Sequence, residues 1–136
     1  MVHKIDHIGI VVKNLEKSLQ PYQELLGLPL KEREELELKG SNYKIAFLPI
    51  SGVNLELVET DSTTGIAAEF LRDHGEGIHH IAFEVEDLDK MMEELQSRGV
   101  RFVWDKPLQG SRGSRVAYFK PEEFNGIYIE LVEKHG

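Results

Sequence analysis

The chain has 136 residues, of which 40% are hydrophobic and 29% charged, a composition typical of one compact domain and not of a disordered or membrane-embedded chain. It has no apolar run near the ~20 residues of a spanning helix and no signal-peptide pattern, so we expect a cytoplasmic protein. The net charge of −8 argues against nucleic-acid and membrane partners, and the lack of cysteine excludes thiolate metal sites and cysteine nucleophiles.

An internal repeat organises the chain. Residues 6–17 align with residues 79–90, and residues 53–59 align with residues 127–133, at offsets of 73 and 74. Self-similarity at a fixed offset is the signature of a duplicated structural unit. The sequence therefore predicts one domain over 1–136, built from two related halves over 1–74 and 78–136.

Each half begins with a predicted strand, over 4–12 and 78–85, and a helix follows. Asn14 and Asp87 are the predicted N-caps of these helices, and Gly27 and Gly99 are predicted to end them in a left-handed conformation. Three further strands are predicted in each half, and a short helix in the first. These strands are expected at 30–38, 43–48 and 53–59, then at 100–104, 115–119 and 127–132, with the short helix at 64–73.

Each half therefore has the order βαβββ. A four-stranded sheet that carries a helix on one face needs cover on its other face, so two such halves are expected to pair. The predicted fold class is α+β, with two paired βαβββ modules that close around a central cleft.

Four residues with metal-ligand chemistry recur at matching positions of the repeat: His7, Glu56, His80 and Glu130. Histidine and carboxylate together bind divalent ions such as Co²⁺, Zn²⁺, Ni²⁺ or Mn²⁺, so we predict one such ion per chain, of open identity. Consecutive strand side chains point to opposite faces, so His79 is expected to pack or to hydrogen-bond rather than to bind beside His80.

Two further sets of titratable side chains carry no ligand prediction. Histidines without a repeat partner are expected at the surface: His3, His74 and His135. The closely spaced carboxylates of the second predicted strand are typical of a solvated charge run. They are Glu32, Glu34, Glu35 and Glu37.

These motifs resemble the vicinal oxygen chelate superfamily. The resemblance implies two paired βαβββ modules forming a cup-shaped mixed sheet around a metal site. The resemblance is carried by Asp-His-Ile-Gly-Ile at 6–10, Gly-Ile-His-His-Ile-Ala-Phe-Glu-Val at 77–85 and Ile-Glu-Leu at 129–131. Within the superfamily the chain is most similar to methylmalonyl-CoA epimerases. That closer likeness runs nearly end to end and includes Gly-Ser-Arg-Gly-Ser-Arg at 110–115 and Lys-Pro-Glu-Glu-Phe-Asn-Gly at 120–126.

The resemblance implies that the four repeated residues bind the metal and that the substrate is an acyl-CoA. It implies interconversion of the R and S forms of methylmalonyl-CoA, by removal of the α-proton to give a metal-stabilised enolate. Glu130 is then both a metal ligand and the catalytic acid/base. Ser114 and Arg115 become candidates for binding the substrate carboxylate, and a homodimer is expected.

The sequence leaves a second acid/base group unassigned. Inversion of a stereocentre by two bases requires proton transfer on both faces of a planar intermediate. Some epimerases carry a glutamate on the third strand of the first half, and the aligned position in this chain is Ile45, beside Lys44. A one-base or water-mediated route therefore stays open at the level of sequence.

Two alternative functions fit the same fold. Glyoxalase I uses similar ligands to isomerise the hemithioacetal of methylglyoxal and glutathione. A non-catalytic protein with paired βαβββ modules would sequester a ligand without chemistry and would not need four metal ligands.

Overall fold

A computed structural model describes residues 1–134, so the prediction for His135 lies outside the described residues. The chain divides into two compact units. The N-terminal unit comprises residues 7–79, and the C-terminal unit comprises residues 1–6 together with the chain from His80 onward.

The N-terminal unit contains a four-stranded sheet and two helices. The strand order is β2-β3-β4-β1, with β1 parallel to β4 and the other neighbours antiparallel. Its elements are β1 (Val2–Val11, whose residues 7–11 belong to this unit), α1 (Leu15–Glu24), β2 (Glu32–Leu38), β3 (Ser41–Ile50), β4 (Val53–Thr60) and α2 (Ile66–His74).

The C-terminal unit has the same order of strands and one long helix. Its strands run β5-β8-β7-β6, with β5 parallel to β8. The elements are β5 (Gly77–Val85), α3 (Leu88–Ser97), β6 (Leu108–Gln109), β7 (Arg115–Tyr118) and β8 (Tyr128–Glu133), with short 3-10 turns at Ser111–Gly113 and Pro121–Phe124.

The strand registers repeat between the two units. Glu56 on β4 lies opposite Gly9 on β1, and Glu130 on β8 lies opposite Ala82 on β5. Both alignments follow the offsets read from the sequence, and the α+β class with two βαβββ modules is confirmed.

The predicted helix boundaries are confirmed by their caps. Asn14 accepts a hydrogen bond from the Lys17 amide, and Asp87 accepts one from the Lys90 amide. Such caps satisfy backbone N–H groups that lack partners inside the helix. Past the helix ends, Gly27 and Gly99 have φ of +66° and +86°, the left-handed region that glycine enters without steric cost.

The predicted strand over 100–104 is wrong. In that run the structure has a single bridge, between Phe102 and Phe119, and the strand that pairs with β7 is Leu108–Gln109. The alternating apolar residues have another cause: Phe102 is buried and stacks on Phe119 at 4.5 Å between ring centroids. Core packing beneath α3 therefore produced a pattern that resembles strand alternation.

Each sheet has a face covered by its first helix. In the N-terminal unit, Leu15 and Leu19 of α1 pack against Ala46, Leu48 and Leu57, and we call this side the α1 face. In the C-terminal unit, Leu88 and Met92 of α3 pack against Ala117, Phe119 and Leu131, which define the α3 face.

Because strand side chains alternate, Glu56 and Glu130 lie on the opposite faces of their sheets, away from α1 and α3. On that side of the N-terminal sheet, α2 contributes Ala67 to a cluster with Val11, Tyr43, Ile45, Phe47 and Val58. Within residues 1–134 no helix has the length and apolarity needed to cross a membrane.

Candidate functional site

A buried histidine and a buried glutamate contact each other in the N-terminal unit. His7 Nδ1 lies 3.1 Å from Glu56 Oε2, and the two side chains are 5% and 6% exposed. The register explains the contact, since Glu56 lies opposite Gly9 and His7 is two residues earlier on the same face of β1. Burying a polar group costs free energy unless the group has a polar partner. The contact between His7 and Glu56 offsets that cost for both side chains.

The C-terminal unit contains the equivalent pair. His80 Nε2 lies 3.1 Å from Glu130 Oε1, with side chains 7% and 5% exposed. Glu130 lies opposite Ala82 on β5, and His80 is again two residues earlier on the parallel neighbour. The structure thus places all four predicted ligands in buried His–Glu pairs, one pair in each unit.

The donor atoms of these pairs fit a divalent transition metal. Each pair offers an imidazole nitrogen and a carboxylate oxygen, the ligand types that Zn²⁺, Co²⁺, Ni²⁺ and Mn²⁺ accept. Each donor is carried by a β-strand rather than by a loop, and a hydrogen-bonded sheet restricts its movement. The residues present therefore fit the metal that the sequence predicts.

Tyr118 is a neighbour of the C-terminal pair that the sequence interpretation missed. It lies opposite Glu130 across the β7–β8 ladder, and its ring meets His80 edge-on at 5.5 Å between centroids. In the N-terminal unit, Phe47 lies opposite Glu56. An aromatic residue thus lies opposite the glutamate in both units, and of these two residues Tyr118 bears a hydroxyl. This difference between the two halves is the signal that could have identified Tyr118 from the sequence.

The other histidines of the described residues have contacts outside the two pairs. His79 is buried and meets the Phe70 ring edge-on at 5.1 Å, which agrees with the predicted packing role. His3 is exposed and its Nε2 lies 2.8 Å from Glu84 Oε2. His74 is also exposed and stacks on Phe70.

Loop 110–114 folds into a tight turn around Ser114. The buried Ser114 hydroxyl donates to the Ser111 carbonyl at 2.7 Å, and the Gly110 amide donates to the Ser114 carbonyl at 2.9 Å. A Cβ at position 110 would lie 2.6 Å from a methyl of Val116, so only glycine fits. The loop is therefore a defined turn in which one of the two predicted substrate ligands is held.

Arg115, the other predicted substrate ligand, lies on the α3 face of β7. Its guanidinium donates to both carboxylate oxygens of Asp89, at 2.7 and 2.9 Å, and to Glu133 Oε1 at 3.1 Å. These contacts, first the hydrogen bond with Asp89, raise the pKa of Arg115 and lower that of Asp89. The structure thus gives Arg115 a role in tying α3 to the sheet, and contact with substrate stays a prediction for this residue.

The last glutamate of each repeated motif holds a helix. Glu59 accepts a hydrogen bond from the Leu15 amide at 2.7 Å, and Glu133 accepts one from the Leu88 amide at 2.9 Å. Both glutamates lie three residues after a predicted metal ligand. The sequence interpretation aligned these residues but assigned them no role.

Comparison with known proteins connects this arrangement to a family. The model for the glyoxalase/bleomycin resistance protein/dioxygenase superfamily matches residues 6–118. The chain belongs to this superfamily. Its members include the vicinal oxygen chelate proteins that the sequence motifs resemble.

Relatives with and without an assigned activity match this superfamily member over nearly its whole length. An uncharacterised protein of Bacillus subtilis is 33% identical, covering 99% of this chain and 95% of the relative. An ethylmalonyl-CoA/methylmalonyl-CoA epimerase of Cereibacter sphaeroides is 29% identical, covering 96% and 98%. A solved variant of the Streptomyces coelicolor methylmalonyl-CoA epimerase, in complex with 2-nitronate-propionyl-CoA, is 29% identical with a TM-score of 0.89, covering all of both chains.

Ile45, the position where some epimerases of this superfamily carry a glutamate, is apolar and buried in this member. It is 6% exposed and packs in the cluster that contains Phe47 and Val58. Its side chain lies on the same face of the sheet as Glu56. A proton-transferring group at that place must therefore come from another residue of the N-terminal unit, if the unit supplies one.

Proposed function

We propose that this protein is a metal-dependent epimerase that interconverts the R and S forms of methylmalonyl-CoA. The observation that carries the proposal is the duplicated, buried His–Glu pair. A ligand-sequestering protein has no need for buried ionisable pairs at equivalent positions of two sheets, because such groups cost free energy without contributing to an apolar binding cleft.

We propose that His7, Glu56, His80 and Glu130 together bind one divalent ion. When bound, the ion supplies Lewis-acid stabilisation of negative charge that develops on the substrate oxygens. Both units are then required for activity, because each contributes half of the ligands. The identity of the ion is left to measurement.

Glu130 is the residue that we propose to take the α-proton. The proton between a thioester and a carboxylate is weakly acidic, and a carboxylate held at a fixed place removes it more effectively than water does. The Glu130 side chain is 5% exposed, so it is largely shielded from bulk water. Tyr118 restricts the His80 ring beside it, which keeps the pair in place.

The proposed substrate class is a 2-alkylmalonyl-CoA. The Cereibacter sphaeroides relative is named for both ethylmalonyl-CoA and methylmalonyl-CoA, and the Streptomyces coelicolor relative holds an acyl-CoA analogue. Ser114 and Arg115 are the proposed ligands of the substrate carboxylate. The homodimer and the cytoplasmic location stay predictions. Light scattering that reports a 15.5 kDa species, the mass of one chain, would contradict the homodimer.

The test of this proposal compares two substrates on one preparation. Metal-loaded protein is given methylmalonyl-CoA and, separately, the hemithioacetal of methylglyoxal and glutathione. We expect turnover of the acyl-CoA alone, and loss of that turnover after chelation with recovery on adding metal. Turnover of the hemithioacetal alone identifies glyoxalase chemistry, and a protein that binds no divalent metal on titration contradicts both enzyme functions.

A further inference from the structure

Three aromatic side chains of the C-terminal unit form a cluster beside the His80–Glu130 pair. We call Trp104, Tyr118 and Tyr128 the aromatic cluster. Tyr118 is at its centre, because its ring meets Trp104 and Tyr128 edge-on at 6.3 Å between centroids and meets His80 edge-on at 5.5 Å. Edge-to-face ring pairs attract each other at these separations. The cluster therefore holds a defined shape next to the proposed base.

The strand register places the two tyrosines on the same face of the sheet as Glu130. Tyr118 lies opposite Glu130 across β7 and β8, and Tyr128 lies opposite His80 across β8 and β5. Directly opposed residues of neighbouring strands point to the same face, as do residues two apart on one strand. The next residue of β7, Phe119, packs on the α3 face instead.

The same face of the sheet is apolar on the other sides of Glu130. Ala82 lies opposite Glu130 on β5, and Val132 is two residues further along β8. Both residues pack in a cluster with Val116 and Leu108. Within the C-terminal unit, a group that approaches Glu130 along this face therefore meets apolar side chains on β5 and β8 and an aromatic ring on β7.

The aromatic cluster extends from the buried pair to the surface. Tyr118 is 8% exposed, whereas Trp104 and Tyr128 are half-buried. Trp104 lies in the irregular segment between the Phe102 bridge and β6. Ligand sites in proteins are lined mainly by apolar and aromatic side chains, with a few polar groups among them. Partly exposed rings that lead to a buried carboxylate fit that description.

The spacing of opposed strand residues brings the Tyr118 ring within reach of the reacting carbon. A general base acts on a proton at about 2.6–3.2 Å between heavy atoms, and the Cβ atoms of directly opposed residues are about 4.5–5.5 Å apart. A substrate α-carbon held at Glu130 therefore has a substituent beside Tyr118. The alkyl group is the apolar substituent of that carbon, and a carboxylate placed against a ring would lose hydrogen bonds at a cost in free energy.

We propose that the aromatic cluster binds the 2-alkyl group of the substrate and limits its length, an inference that rests on the proposed function. Tyr118 is the specificity-determining residue, because it lies directly opposite the proposed base. Trp104 and Tyr128 hold its ring from two sides. The cluster accepts a short alkyl group, methyl or ethyl, and excludes a butyl group.

The test compares two substrates on each variant. Inversion of one epimer of methylmalonyl-CoA and of butylmalonyl-CoA is measured with metal-loaded protein, as kcat/KM. We expect wild type to prefer methylmalonyl-CoA by roughly 10-fold or more, because one methylene group in an apolar pocket changes kcat/KM by about 10–200-fold. Tyr118→Leu should shift the preference toward butylmalonyl-CoA by roughly 10-fold or more. The ratio does not depend on the active fraction of a preparation, so a loss of stability alone leaves it unchanged.

Two control variants separate the ring of Tyr118 from other effects. Phe119→Leu removes a similar volume from the next residue of the same strand, on the α3 face, and should leave the preference unchanged. Tyr118→Phe keeps the ring and should also leave it unchanged. A shift in Tyr118→Phe as large as that in Tyr118→Leu would assign the effect to the hydroxyl and overturn the proposal.

An unchanged preference in folded Tyr118→Leu overturns the assignment, as do equal kcat/KM values for the two substrates in wild type. If circular dichroism shows that Tyr118→Leu does not fold, Tyr128→Leu takes its place and must shift the preference in the same direction. An unchanged preference in Tyr128→Leu then overturns the assignment. Wild-type protein that inverts neither acyl-CoA contradicts the proposed function itself, which keeps the two failures distinct.

The fluorescence of Trp104 gives a readout that does not require turnover. Trp104 is the single tryptophan of the chain, so the emission of the protein at tryptophan wavelengths reports on the aromatic cluster. Methylmalonyl-CoA should change this emission on binding to wild type, whereas free CoA should not. An equal change with free CoA would show that the acyl group does not contact the cluster, and would overturn the proposal.

Discussion

Glu130 and Glu56 occupy equivalent places in the two units, but their neighbours differ. Tyr118 lies opposite Glu130 and touches His80, whereas Phe47 lies opposite Glu56. Tyr118, which bears a hydroxyl, thus lies beside Glu130, the glutamate that we propose as the base. We therefore expect substitutions of Glu130 and Glu56 to have different effects on catalysis.

Glu130→Gln should lower kcat by about 10²–10⁴-fold, the range typical of removing a general base. Glu56→Gln should act mainly through metal affinity, so excess metal should recover much of its activity. Steady-state kinetics with metal content determined for each preparation checks the contrast. Equal kcat values for Glu130→Gln and wild type, at full metal occupancy, would show that another residue is the base.

His7→Ala should weaken binding of Co²⁺ by at least 10-fold, because it removes one donor and leaves the Glu56 carboxylate without that neighbour. His3→Ala is a matched control, since His3 is an exposed histidine of the same strand. Isothermal titration of metal-free protein measures both affinities. An unchanged affinity in His7→Ala would exclude His7 from the ligand set.

At the scale of elements, a carboxylate from the last strand of each module holds the first turn of a helix. Glu59 and Glu133 accept from the Leu15 and Leu88 amides, and both glutamates lie three residues from a proposed metal ligand. A strand that bears a ligand is thereby tied to the helix that covers the sheet. These hydrogen bonds therefore restrict the movement of the strand that carries each proposed ligand.

Glu133→Ala and Glu59→Ala should each lower the free energy of unfolding by about 0.5–2 kcal/mol, the usual effect of losing a side-chain acceptor at a helix N-terminus. Glu93→Ala, at an exposed site on α3, should change it by less than about 0.5 kcal/mol. Chemical denaturation followed by circular dichroism measures these differences. Identical midpoints for all three variants would contradict the capping role.

The contact between Asp89 and Arg115 predicts a pH dependence. The hydrogen bond from Arg115 lowers the pKa of Asp89 in the folded state, so its stabilising effect is present above the ordinary carboxyl pKa near ~3.9 and is lost as the pH falls through the lowered value. Asp89→Asn should therefore lose less stability than wild type between about pH 5 and pH 2. Parallel acid-unfolding curves would contradict this prediction.

At the scale of the whole molecule, the duplicated sequence predicted the features that duplication determines. The offset between His7 and His80 gave both modules, and the capping residues Asn14 and Asp87 gave the helix starts. The prediction of a strand at 100–104 was wrong because the apolar residues of this run alternate as they do in a strand, whereas Phe102 is apolar because it packs in the core. The different burial of Glu34 and Glu35 follows from strand pairing with β3, which a local charge pattern does not contain.

Long-range contacts also account for the site features that the sequence interpretation missed. Arg115 was assigned from its loop, but its engagement with Asp89 and Glu133 depends on how α3 packs against β7 and β8. Tyr118 meets His80 only because β7 lies beside β8. Residues whose role is visible in a local sequence motif could be predicted. Residues whose role depends on a neighbouring strand were identified only in the structure.

The most direct test of the central claim is proton exchange on a single epimer. Protein loaded with Co²⁺ is mixed with one epimer of methylmalonyl-CoA in D₂O, and the α-proton signal and the epimer ratio are followed by NMR and chiral analysis. We predict loss of the α-proton together with formation of the other epimer. Retention of both the proton and the configuration over hours, in protein shown to hold metal, would contradict the claim.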